Sequence, residues 1–454
     1  MIGASLSRWT MAFFAVALAS LLVAEGLMAA GYGFPAGAID APETLVVVHL
    51  VAIGWLSLLM CGALFQFVPV LVAQPLRRPV LVLPVLACLT AGLACLLAGF
   101  LQLAGDLETD MPFLIIGGCL LPAGFVLAAW VLGETLWSAR PLVLPARFVA
   151  VGLACLLVLA TLGSLLAHLR SGVISADAIA VRRGGLVPLH AALGIGGWLT
   201  FSAIGVSYRL LPMFMLAPDR ERATSRWAWA SGSAGLLAAA FFAPLELVLG
   251  TGTIPSLSLA VGGAFGSVAL FLYGIDLAFF YRNRKRRQVE LNIKAAGGAF
   301  AALAAAALLC AALAACGMLD RHVGAVVYLA SFGWLGGLGL SQLYKIVPFL
   351  TWLECYGPVM GRKPTPRVQD LVAEQRDGPW FGLYFAGVFV ATGALLAGEP
   401  ALFRFGATAT CLATAAIAIE LVLARRLANV SAALRLPEGA HLPRLFVASL
   451  GNRR

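Results

Sequence analysis

Five histidines are the side chains of this chain best suited to hold a metal or a haem iron: His49, His168, His190, His322 and His441. The first four fall near the ends of long apolar runs, and His441 lies in the C-terminal tail. His49, about one turn into its run, reads equally as an iron ligand or a structural imidazole. His190 follows Pro188 and fits either a metal ligand or a hydrogen-bonded group between helices. His168 and His322 flank Arg170 and Arg321 and read as groups facing interfacial water, with His168 also a metal candidate. Four carboxylates interrupt or end apolar runs: Glu25, Glu246, Asp276 and Glu420. Inside a membrane such acids mark proton or ion relays, or are neutral or paired groups between helices. Glu246 and Asp276 are the relay candidates, with Arg209 and Lys345 as cationic entry groups or as long side chains reaching for the interface.

Those groups need elements to carry them, and composition names the elements. The chain has 454 residues, 61% hydrophobic and only 11% charged. Soluble domains carry about 25% charge, so a bilayer is the solvent for most of this surface. Apolar runs near 9–30, 44–70, 79–101, 112–136, 148–168, 187–213, 227–250, 256–281, 295–316, 323–352, 380–397 and 402–424 are each long enough to cross about 30 Å of hydrocarbon as a helix. The expected fold is an all-α membrane protein of about twelve spans. The first run, behind Arg8, has the look of a signal peptide but the length of a retained span. A short interfacial helix is expected near Leu427–Leu436 in the tail, which covers 427–454. The nine cysteines lie mostly in apolar runs without a CxxC pair and read as small buried hydrophobes.

Charge gives the orientation. With the N-terminus inside, 26 of the 31 Lys and Arg fall on the cytoplasmic side; only Arg170, Arg182, Arg183, Arg321 and Arg404 fall outside. That asymmetry follows the positive-inside rule and places both ends in the cytoplasm of a bacterial-type inner membrane. The run Arg282–Arg287 is then an orientation anchor, and the net charge of +10 needs no nucleic-acid partner. No phosphate loop, nucleophile elbow or zinc motif is present.

Every fourth helix repeats one pattern. Gly54, Trp55, Gly62, Phe65 and Pro69 in the second helix match Gly197, Trp198, Gly205, Tyr208 and Pro212 in the sixth. In the tenth they match Gly333, Trp334, Ser341, Tyr344 and Pro348. The spacing predicts three four-helix units, about 1–140, 141–290 and 291–426, in one transmembrane domain.

Twelve spans, a threefold four-helix repeat, two cytoplasmic ends and a His near the outer end of helix two together resemble subunit I of the haem–copper oxidase superfamily, closest to its divergent NnrS-like members. The resemblance covers nearly the whole chain. It implies that His49 stands where the family holds its low-spin haem. Tyr328 occupies the equivalent column of helix ten, and His322 lies six residues earlier. Helix seven has no His, and His190 is two positions off the register of His49. The three-His copper site is therefore absent as written, and so is oxygen reduction by the family mechanism. What the resemblance implies is at most one or two haems b near the outer face, one of them held by His49, with Tyr328, His322 or no residue as sixth ligand. The role would be electron transfer or small-ligand (NO or O2) sensing, with a c-type cytochrome or respiratory subunits as partners. The alternatives are a non-haem permease or a copper or respiratory-complex assembly factor using the carboxylates, and a catalytically silent subunit.

Overall fold

A computed structural model of the chain describes residues 8–173, 183–249 and 256–448. Among the described residues the secondary structure is helical throughout, without strands. Twelve helices are long and apolar enough to span a bilayer. They are α1 (Thr10–Ala30), α2 (Pro42–Val72), α3 (Pro79–Ala104), α4 (Phe113–Trp137), α5 (Leu144–Arg170) and α6 (Gly185–Met215). The remainder are α7 (Ala223–Leu249), α8 (Leu257–Arg282), α9 (Leu291–Ala315), α10 (Leu319–Val359), α11 (Glu374–Ala397) and α12 (Pro400–Arg425). Large apolar side chains point outward along them: Leu308 is 72% exposed, Phe241 71% and Phe271 70%. Exposure of that kind on helices this apolar is a lipid-facing surface. The chain is a multi-pass membrane protein.

The ends of the helices follow local chemistry. Pro42 and Pro400 stand in the first turns of α2 and α12, where their missing N–H costs nothing. Gly31, Gly105 and Gly398 end α1, α3 and α11 in the left-handed conformation that a side chain would resist.

The helices form two compact units: residues 1–66 with 289–454, and residues 67–288. The first unit contains α1, most of α2 and α9 to α12. Its core includes Phe13, Phe14, Leu21, Trp55, Trp334 and Tyr384, all fully or almost fully buried. The second contains α3 to α8, with Trp198, Phe148 and Tyr273 equally enclosed.

Three features recur along the chain. First, the Gly-Trp pairs lie in wide, π-helical turns: Leu50–Ser57 in α2, Ala192–Phe201 in α6 and Leu329–Gly336 in α10. Such turns loosen the backbone ladder and concentrate at functional positions. Side chains take up the loosened carbonyls: Ser57 donates to Ala52 O at 2.8 Å, and Tyr384 to Phe332 O at 2.8 Å. All three tryptophans have no exposed surface. Second, glycines bring backbones together. A Cβ on Gly117 of α4 would stand 3.1 Å from Gly92 O of α3. One on Gly235 of α7 would stand 2.8 Å from Gly262 O of α8, and one on Gly387 of α11 2.8 Å from Gly406 O of α12. Close backbone approach is how membrane helices gain packing without a hydrophobic drive between them. Third, an arginine near the start of one helix pairs with a carboxylate near the end of the next: Arg78 with Glu134, Arg222 with Asp276, and Arg376 with Glu420.

The structure departs from the sequence reading at two places. Helix α10 is longer than 323–352 at both ends: an irregular residue, His322 at φ −116°, joins a short leading turn to it, and the helix runs on to Tyr356 with a tighter turn, Gly357–Val359, after it. The tail forms a single helical turn, Ala432–Arg435, rather than an interfacial helix from Leu427 to Leu436. Leu427 and Val430 instead bury against Cys355, Tyr356, Leu371 and Ala424, and Tyr356 donates to Arg435 O at 2.7 Å. Near the start of the chain, Arg8 O accepts the backbone N–H of Ala448 at 2.9 Å, so the approach to α1 and the tail meet. Arg182, Arg453 and Arg454, counted in the charge asymmetry, lie outside the described residues.

Candidate functional site

The first unit carries His49, Tyr328 and His322. His49 and Tyr328 occupy the same place in their helices, each the last residue before the wide turn. Helices α2 and α10 touch there through Trp55: a Cβ on Gly339 would stand 3.0 Å from its ring, and one on Gly336 3.6 Å from its indole nitrogen. His49 is half-buried, and its Nδ1 lies 2.8 Å from Leu45 O. A carbonyl only accepts, so Nδ1 carries the proton and the ring's lone pair sits on Nε2. That is the tautomer in which imidazole ligates a metal.

Tyr328 has a different environment. Its ring stacks on Phe332 at 4.6 Å and meets Phe403 edge-on at 5.5 Å. Thr410 of α12 and Glu25 of α1 are the polar groups acting on its phenol. Those contacts describe a packed core tyrosine facing α1 and α12. His322 is half-buried at the irregular first turn of α10.

The second unit carries His168 and His190. The His168 ring bonds through Nδ1 to Ser164 O at 2.7 Å, with Nε2 4.0 Å from Cys119 Sγ. His190 packs over Gly163, where a Cβ would come within 3.0 Å of its ring. Among the described residues no three His, Cys, Asp or Glu side chains converge as a metal site.

The relay candidates are heavily bonded. Glu246 lies three residues from the end of α7 and is half-exposed. It accepts the backbone N–H groups of Leu257 and Ser258 at 3.1 and 2.9 Å and the Ser258 hydroxyl at 2.6 Å, capping α8. A helix start needs such acceptors for its unpaired N–H groups. Asp276 is fully buried, and its oxygens accept from Tyr208 at 2.8 Å, from Thr224 and from Arg222. Tyr273 beside it shares a hydrogen bond of 2.5 Å with Ser207. Arg209 pairs with Asp219 on the surface. Lys345 pairs with Glu290 at 2.6 Å, and Gln369 donates to the other Glu290 oxygen at 2.8 Å. Lys345 and Glu290, with Tyr344 and the buried amide of Asn292, line a small recess with room for no more than a water.

A further network in the first unit was not evident from sequence. Tyr344 donates to Asp377 at 2.6 Å; Arg376 bridges Asp377 and Glu420; Asn429 donates to Glu420 at 2.6 Å. Nearby, Arg425 and Glu354, both almost fully buried, pair at 2.6 Å.

Glu25 of α1 stands apart from all of these. It is fully buried, one oxygen accepts from Thr414 at 3.0 Å, and the other has no hydrogen-bond partner. The sequence marks it as an acid in an apolar run; the packed structure adds that no cation among the described residues pairs with it. No protein-family model and no curated protein matches the chain.

Proposed function

We infer that this chain is an inner-membrane protein of oxidase subunit I type, built as three four-helix units with both ends cytoplasmic, that holds one haem b through His49 and binds a small ligand such as NO or O2. The three recurrences support the triplicate layout: a buried Trp in a wide turn, a glycine contact between the third and fourth helices, and an arginine–carboxylate clasp. The distribution of Lys and Arg supports the orientation.

The observation that carries the haem is the His49 ring. Its proton is spent on Leu45 O, as a proximal ligand's commonly is on a backbone carbonyl. The donor set otherwise fits poorly. Tyr328 is enclosed by aromatic rings, His322 sits at a helix start, and among the described residues no group of three His, Cys, Asp or Glu gathers at His190 or His168. A haem held by one protein ligand offers an open iron position, which suits binding a diatomic molecule better than simple electron transfer. The chain's own contribution is to orient the imidazole and to surround it with apolar helix. Redox partners, if the iron cycles, would be membrane respiratory subunits or a c-type cytochrome.

The test is the optical spectrum of protein purified with haem supplied during expression. A Soret band with a haem b pyridine haemochrome, near one haem per chain, is the expected result. A colourless, folded preparation would overturn the haem reading and favour the permease or assembly alternatives.

A further inference from the structure

We propose that Glu25 is a proton-carrying site inside the first unit, exchanging its proton through the hydroxyl of Tyr328. This holds with or without a haem at His49.

The argument begins with cost. An ionised carboxylate sealed in an apolar interior without a counter-charge is too unfavourable to persist; such a group keeps a proton or binds a cation. Glu25 has no exposed surface, one bond from Thr414 and one oxygen without a partner. The helices around it supply hydroxyls and a thiol rather than charges. Helix α12 presents Thr410, Cys411 and Thr414, α10 presents Tyr328, and α11 presents Tyr384. Helix α2 carries Glu43, His49 and Cys61. Arg404 of α12 is exposed and donates to Ala29 O at 3.1 Å, one turn beyond Glu25. No group of three His, Cys, Asp or Glu gathers there among the described residues, so the proton, not a metal ion, is the better fit.

The exchange partner follows from what the neighbours already do. Thr410 donates to Ala407 O at 2.8 Å, Thr414 donates to Glu25 itself, and Tyr384 donates to Phe332 O. The Tyr328 hydroxyl is buried, makes no hydrogen bond of ordinary geometry, and has the Thr410 hydroxyl and the Glu25 carboxyl as its polar neighbours. Two orphaned polar atoms thus share one enclosed shell. In the exchange, the Glu25 O–H passes its proton to the phenol oxygen as the phenol releases its own. That proton goes to the second Glu25 oxygen, which has no other partner, so both groups stay neutral throughout and a deuteron entering on the phenol reaches the carboxyl by the same path.

Infrared spectroscopy of the purified protein at neutral pH tests this. The wild type should show the carbonyl band of a protonated carboxylic acid, displaced in heavy water and missing in Glu25→Gln. Tyr328→Phe should keep the band but slow its isotope exchange by about tenfold or more, as expected when a positioned proton shuttle is removed. Wild type and Tyr328→Phe leave Glu25 intact, so the test survives a Glu25→Gln chain that does not fold. Three results would overturn the proposal: no such band, a band that appears only when sodium is withdrawn, or exchange in Tyr328→Phe at the wild-type rate.

Discussion

Two tyrosines on α10 divide the first unit into regions of opposite character. Tyr344 belongs to a charged network, bonded to Asp377, which Arg376 ties to Glu420 and through it to Asn429. Tyr328, about four turns away along the same helix, has only the Thr410 hydroxyl and the Glu25 carboxyl as polar neighbours, and no cation among the described residues pairs with that carboxyl. A network whose lone pairs and protons are all used holds helices in place, and breaking it is expensive. A pair with unused valences contributes little to stability and keeps the freedom to exchange. The contrast fits a scaffolding role at the Tyr344 end and the chemistry proposed above at the end that carries Glu25, Tyr328 and His49.

The contrast breaks most visibly at the buried arginine–carboxylate clasps. Arg222→Ala leaves the fully buried Asp276 without its cation, and should lower unfolding stability in detergent by about 3–5 kcal/mol. A loss under 1 kcal/mol would mean that Asp276 is carried neutral, as proposed for Glu25. Tyr344→Phe removes a buried donor to Asp377 and should cost about 1–3 kcal/mol in the same assay. Arg78→Ala, at a clasp whose side chains are 50% and 34% exposed, should cost no more than about 1 kcal/mol. Tyr328→Phe and Glu25→Gln should be nearest neutral, within about 0.5 kcal/mol. If Tyr328→Phe proves as costly as Tyr344→Phe, its hydroxyl is a structural anchor and the contrast between the two ends fails.

Sequence and structure agree where a signal is local. Twelve apolar runs are found as twelve apolar helices because bilayer thickness alone sets their length. The Gly-Trp pattern is legible because Trp is rare and its spacing regular. That each such pair sits in a wide turn is not legible, since π turns depend on what packs against the helix. The clasps were hidden for a related reason. Arg222 and Asp276 lie 54 positions apart, and only helix pairing joins them. Glu246 looked like an intramembrane acid because nothing in its own helix shows that α8 begins beside it. Tyr328 matched the column of His49 in register, yet register along a helix does not fix which neighbours a ring meets. Its stacking on Phe332 and contact with Phe403 are tertiary facts.

The proposed role of His49 as the one protein ligand to a haem iron is tested most directly by comparing optical spectra of the wild type, His49→Ala and Tyr328→Phe. The Soret band should disappear in His49→Ala and be unchanged in Tyr328→Phe. Haem retained without His49, or lost with the phenol oxygen, would contradict it.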